Sequence, residues 1–274
     1  MNITSPALNA VFQITADPNW PGIVFQTDAT GRHSWQWTIS WNTFSVSGVE
    51  STLGNEWDAA NAIAGLGGQL KVQATADGQS DSVSVRIAGQ NPSTQQVTTY
   101  LESQADSDGF DQLLKHESQF RHFNAQGHPI KSFDNGYGMC QLTAPVPSFA
   151  QIWNWKQNID AGLALFTAKR VAAIQHLSQQ GRSYTPDQLK YEAVCRWNGG
   201  SYHVWDVESG WVRDPDIVCD SQTGNIGWDL TDPENQGKSA QQLRQRDGSS
   251  YSGGWKSGDH WRYFGVCYAD AILG

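Results

Sequence analysis

Apolar and polar positions alternate along the N-terminal part of the chain. Ser34 to Trp41 places Trp35, Trp37, Ile39 and Trp41 on one face at period 2, the pattern of a half-buried strand. Leu70, Val72 and Ala74 alternate likewise, Asp77-Gly78 supplies turn chemistry, and Val83, Val85 and Ile87 resume the alternation. Ala7 to Ile14 and Ile23 to Phe25 are further predicted strands, and Glu56 to Leu66 reads as a short helix or an irregular crossover. Short strands separated by Gly, Pro and Asp predict a small immunoglobulin-like β-sandwich over residues 1–92.

Ala88-Gly-Gln-Asn-Pro-Ser93 ends this pattern and marks a predicted boundary. Helical spacing follows, predicting helices over Thr94 to Ser103 and over Gly109 to Phe123, the latter with Asp106, Asp108 and Asp111 near its start. A long helix is predicted from Asn158 to Gln180, free of internal Pro. Thr185-Pro-Asp-Gln188 is a capping box that opens a helix running to about Asn198, where Gly199-Gly200 stop it. Residues 206–258 are rich in Asp, Gly and Ser and predict an irregular insertion, and Trp261 to Leu273 a terminal helix. The predicted class is α+β and multidomain, a β region at 1–92 and a mainly α region at 93–274.

Composition narrows the function. The length of 274 residues suits two domains. Charged residues make up 16% and the formal net charge is −9, which argues against nucleic acid or an anionic membrane held by charge. No apolar run is long enough to span a bilayer. Met-Asn-Ile-Thr-Ser-Pro has neither a basic n-region nor an apolar h-region, so no secretory leader is expected. That leaves a cytosolic protein, a trimmed leader or another export route. Thirteen Trp in a low-charge chain predict aromatic cores or flat platforms for sugar rings, with Trp153, Trp155, Trp197 and Trp205 the candidates for stacking beside core packing.

One acid falls on an apolar stripe. Phe110, Leu113, Glu117 and Phe120 recur at spacings of three and four and share a predicted helical face. A carboxyl there is partly desolvated, and desolvation disfavours the charged form, the condition a general acid needs. The plain alternative is that Glu117 sits at the edge of the stripe and reaches water.

The surrounding chain favours the acid. Leu114-Lys-His-Glu-Ser-Gln-Phe120 is followed by Gly136-Tyr-Gly-Met-Cys-Gln-Leu-Thr143, then Asn158-Ile-Asp-Ala-Gly162, then Ala193-Val-Cys-Arg-Trp-Asn-Gly-Gly200. This ordered set resembles the lytic transglycosylase and goose-type lysozyme group, over roughly residues 100–205. The resemblance implies a lysozyme-like domain with Glu117 as its catalytic acid and base. It also implies substrate contacts by Ser118, Tyr137, Met139, Gln141, Asn158, Trp197 and Asn198, and no cofactor or metal. The implied substrate is the β-1,4-linked glycan strand of peptidoglycan. Cys140 stands where the family carries Met, and Trp197 where it carries Tyr, so an indole N–H replaces a hydroxyl.

By the same resemblance one Glu first protonates the leaving oxygen and then, as base, lets the sugar's own 6-hydroxyl close a 1,6-anhydro ring. A hydrolase needs a second carboxyl to direct water. Asp134 is the positional candidate, although an Asx turn leading into Asn135-Gly136 accounts for it better. Transglycosylation is therefore slightly favoured. A non-catalytic wall-glycan binder and a chitinase or chitosanase on the same scaffold stay open.

Other motifs fail. His116-Glu117 with His122 lacks the second His of a helical zinc site, where Phe120 stands, and Asp106 to Glu117 lacks the Gly of a calcium loop. Cys140, Cys195, Cys219 and Cys267 allow three pairings or free thiols. A bridge between Cys219 and Cys267 would pin the insertion to the terminal helix. The setting that fits is action in the periplasm or cell wall: an exported antibacterial effector with a cognate immunity protein and a secretion apparatus as partners, a phage lysin, or a leader-trimmed enzyme. In each the β domain serves targeting or delivery.

Overall fold

The computed structural model describes residues 1–274 and is of mixed α and β class. Its chain clusters into two compact units, one of Met1–Ser103 with Glu117–Gly162, the other of Gln104–His116 with Leu163–Gly274. The predicted boundary at 88–93 therefore lies inside the first unit.

In the first unit, strands β1 (Ile3–Ser5), β2 (Val11–Ile14), β3 (Val24–Thr27), β4 (His33–Trp41), β5 (Phe44–Thr52) and β6 (Glu56–Asp58) precede the one-turn helix α1 (Ala60–Ile63). Strands β7 (Gly68–Ala76) and β8 (Gln79–Gly89) follow. They form a five-stranded sheet in the order β2-β8-β7-β4-β5, with β2 parallel to β8, and a three-stranded sheet β1-β3-β6. The period-2 face of β4 is the core face: Trp35 and Ile39 are wholly buried, as are Leu70 of β7 and Val85 and Ile87 of β8. Trp57 of the smaller sheet stacks between Phe25 and Trp35, at ring separations of 5.5 and 6.1 Å. The many Trp here are core. Trp35 donates its indole N–H to Thr52 Oγ1 (3.0 Å), whereas those of Trp37, Trp57 and Trp153 are buried without a protein acceptor.

Strand β5 carries no readable alternation because it is an edge strand, exposed along most of its length. The predicted strand Ala7–Ile14 shrinks to β2, and Glu56–Leu66 resolves into β6, α1 and a turn.

Helix α2 (Thr94–Glu102) opens on a Ser93–Gln96 capping box. Helix α3 spans Phe110–Ser118 and stops five residues before the predicted Phe123. Gln119 and Phe120 take left-handed backbone (φ 55° and 59°), so Phe120 does not extend the Glu117 stripe. Tertiary bonding overrides the local helical pattern. Asn91 Oδ1 accepts both the His122 and Phe123 N–H groups (2.7 Å each), and Asn91 Nδ2 donates to Phe123 O (2.7 Å). Helices α4 (Phe149–Trp153) and α5 (Trp155–Leu177) follow. The latter starts three residues earlier than predicted because Asn154 Oδ1 caps the Lys156 and Gln157 amides (3.0 and 3.2 Å).

In the second unit α6 (Pro186–Asn198) runs as its capping box predicts. The predicted irregular insertion is more ordered than its composition suggested. It contains most of hairpin β9 (His203–Asp206) and β10 (Gly210–Arg213), then β11 (Ile217–Cys219), β12 (Ile226–Asp229) and α7 (Ala240–Asp247). Strands of three and four residues are too short to show a period. Strand β13 (Arg262–Tyr263) pairs with β12, so the terminal helix α8 begins only at Gly265 and runs to Leu273. Gly265 lets α8 approach α6 closely: a Cβ there would meet Gly199 O at 2.1 Å and Cys195 O at 2.3 Å.

Cys219 and Cys267 are bridged, joining β11 to α8, and Cys140 and Cys195 are free and buried. The bridge closes a loop of 48 residues, which by chain entropy is worth about 4 kcal/mol. Dithiothreitol is therefore expected to lower unfolding stability in urea by about that amount, and Cys219→Ser with Cys267→Ser to reproduce the loss without reductant.

Candidate functional site

The residues nominated from sequence fall in two sets, one in each unit. In the first unit Glu117 ends the last full turn of α3 and is half-buried, and Ser118 is buried beside it. The segment Lys131–Leu142 folds back through isolated bridges from Lys131 to Tyr137 and from Tyr137 to Leu142. Ser132 N donates to Gly136 O (2.9 Å) and Gly136 N to Ser132 Oγ (2.8 Å), closing the turn. Asp134 is exposed and accepts a hydrogen bond from Ser132 Oγ within that turn.

A side chain from α5 holds this turn from below. Asn158 is wholly buried; its Oδ1 accepts the Cys140 N–H (2.9 Å) and its Nδ2 donates to Tyr137 O (3.2 Å). His122 supports the same turn, accepting the Met139 N–H at Nδ1 (3.1 Å) and donating from Nε2 to Ile152 O (2.8 Å), roles fixed by its two partners. Gly138 fits between them: at φ 72° a Cβ there would lie 2.5 Å from His122 Cε1 and 2.7 Å from Asn158 Nδ2. Gln141, also left-handed (φ 50°), is half-buried and turns its Nε2 onto Gly138 O (2.6 Å). Left-handed backbone at Gln119, Phe120, Asn135 and Gln141 thus clusters along the segments flanking Glu117 and the glycine turn.

The carboxyl and the turn are electrostatically joined. Burial pushes the Cys140 thiol well above its ordinary range, and the carboxylates of Glu117 and Asp160 push it further in the same direction. Asp160 is exposed on α5 and accepts a hydrogen bond from Tyr100 OH (2.7 Å), while burial and that carboxylate raise Tyr100 to about 12.

Burial lowers His122 to about 4, against the upward pull of its bond to Ile152 O. An unfolded His takes up its proton near 6.5, so the stability tied to neutral His122 is present above that pH and is lost as pH falls from 6.5 toward 4. From pH 7 to 5 the unfolding free energy should drop by about 2 kcal/mol on this account. Parallel urea titrations of His122→Asn, which keeps an amide acceptor but no titrating group, should lack that drop.

In the second unit Trp197 and Asn198 close α6. Trp197 is half-buried against Phe110 and Phe166 (6.0 and 6.4 Å between ring centres), and Asn198 is exposed before the positive-φ pair Gly199-Gly200. Behind them lies Glu192, wholly buried and not singled out by sequence reasoning. Its Oε2 accepts the Tyr202 and His203 N–H groups (3.0 Å each), and Arg196 Nη2 lies 2.8 Å from Oε1. Burial drives this carboxyl upward, but the His203 side chain and the Arg196 guanidinium outweigh it and hold it below its ordinary value. Glu192 thereby anchors the chain that leaves α6. Only its place beside the Ala193–Gly200 motif pointed to it.

Of the four Trp considered for stacking, Trp153 and Trp155 are core, and Trp205 is 38% exposed with the Arg182 guanidinium 4.4 Å from its ring centre. No group of His, Cys, Asp and Glu is arranged to hold a metal ion, and no helix is long and apolar enough to cross a membrane. Comparison of the chain with protein-family models and with curated proteins finds no match.

Proposed function

We propose that this chain is a peptidoglycan-cleaving glycosidase, a muramidase acting on the MurNAc–GlcNAc β-1,4 bond, with Glu117 as its acid and base. The observation that carries the reading is a half-buried carboxyl whose charge is felt at Cys140 in a clamped glycine turn. Glu117 acts on the field at Cys140, and Asn158 and His122 clamp the turn that holds Met139 in the interior and leaves Gln141 half-buried. On this reading the N-terminal sheets serve as an immunoglobulin-like targeting module and the later chain as a lysozyme-like scaffold.

In this reading the Glu117 carboxyl gives its proton to the glycosidic oxygen as the C1–O bond breaks. The neighbouring 2-acetamido group stabilises the positive charge left on C1. Glu117, now a carboxylate, takes the proton of the 6-hydroxyl as that oxygen bonds to C1, closing the anhydro ring. Gln141 offers its amide to the glycan. With Asp134 committed to its turn, the single-carboxyl route is favoured.

Incubation with purified sacculi should release soluble muropeptides and clear the suspension, and chitin oligomers should be left uncut. Intact sacculi from a folded protein would favour the wall-glycan binder, and cut chitin oligomers the chitinase. An antibacterial effector, exported to act in the periplasm and neutralised by an immunity protein, is the setting that fits this activity.

A further inference from the structure

The first unit contains a second candidate site, apart from Glu117: a cleft of about 350 Å³ lined by Asp17, Gln95, Thr99, Tyr100, Trp155 and Lys156 among others. Asp17 follows β2, Gln95 to Tyr100 belong to α2, and Trp155 and Lys156 open α5. The half-buried Tyr100 ring forms the apolar floor, backed edge to face at 5.4 Å by the core indole of Trp155. Both rings are fixed by their polar ends. Trp155 Nε1–H donates to Ala16 O (2.7 Å) and Tyr100 OH to Asp160 (2.7 Å). Gln96 Nε2 ties α2 to Asp17 Oδ1 (3.1 Å). The cleft is formed before any ligand arrives, so binding has little ordering to do.

Its charges point to the ligand. The Lys156 ammonium lies 5.7 Å from the Tyr100 ring centre and 5.4 Å from that of Trp155. No carboxylate pairs with it, no cation pairs with Asp17, and the two do not pair with each other although they line the same cleft. An apolar floor between an unbridged cation and an unbridged anion suits a molecule carrying both opposite charges on a short apolar body. We propose that this cleft binds short peptides with free ends, the carboxylate at Lys156 and the ammonium at Asp17, with Gln95 and Thr99 beside the peptide amides. An uncharged sugar would leave both charges unanswered.

The test is an amide NMR titration of the full chain carrying Glu117→Gln, so that wall cleavage plays no part in the outcome. The probes are trialanine with free ends, its N-acetylated form, its C-amidated form, and chitotriose. Trialanine should shift the amides of residues 95–103 and 155–156 and saturate, and each cap should weaken it by at least about 5-fold. Lys156→Met should abolish the discrimination against the amidated form, and Asp17→Asn that against the acetylated form. Equal binding of capped and free peptides, shifts produced only by chitotriose, or no shift at about 10 mM trialanine would each overturn the proposal.

Discussion

Glu117→Gln is expected to cut the release of soluble muropeptides from sacculi by about 10³-fold while leaving the melting temperature almost unchanged. The amide keeps the size and polarity of the acid but has no proton to give to a leaving oxygen, nor can it take one back. Its site at the end of α3 is only half-buried, so an isosteric change leaves the packing of Leu113 and Leu114 on the same helix intact. Measured kcat should carry the loss and KM should move little, because proton transfer belongs to the transition state. Release by Glu117→Gln at the wild-type rate would show that the proton comes from elsewhere.

Asn158→Ala should have the second largest effect, on stability and activity together. Asn158 satisfies one N–H and one C=O of the glycine turn in a place closed to solvent. Truncation leaves the Cys140 N–H and the Tyr137 carbonyl without this partner, a cost of about 3 kcal/mol. The turn would then settle elsewhere and carry Met139 and Gln141 with it, and a displacement of even about 1 Å costs on the order of 10² in rate. Asn158→Asp is the informative companion. It keeps the acceptor for Cys140 but loses the donor to Tyr137, and it adds a carboxylate where Glu117 and Asp160 already act. Urea unfolding and sacculus clearance on the same samples check both variants; unchanged stability in Asn158→Ala would remove Asn158 from its proposed clamping role.

What the sequence made legible is what local rules decide. Helix α6 is announced by Thr185 and Gln188, three residues apart in a capping box, and β4 by four apolar side chains at period 2. The end of α3 was not legible, because it is set by Asn91, about thirty residues away, pulling on the His122 and Phe123 amides. The strands of the insertion escaped because three or four residues show no period. At the candidate site the motifs located Glu117, the glycine turn and Asn158. They could not reveal that His122, considered only as a metal ligand, props the turn instead. Nor did they single out Asp160, which lies inside the Asn158–Gly162 motif, or Glu192, which adjoins the next one. Their partners come from distant segments, and a titratable residue's role is decided by its partners. Trp153 and Trp155 teach the same lesson, since only packing separates a core indole from a stacking platform.

The most direct test of the single-carboxyl account is the mass of the glycan ends released from purified sacculi by the wild-type chain. The account predicts 1,6-anhydro-muramoyl ends, lighter than the reducing sugar by one water. Reducing ends would contradict the single-carboxyl route and put a second acid to work, and sacculi left whole by a folded protein would contradict the enzyme itself.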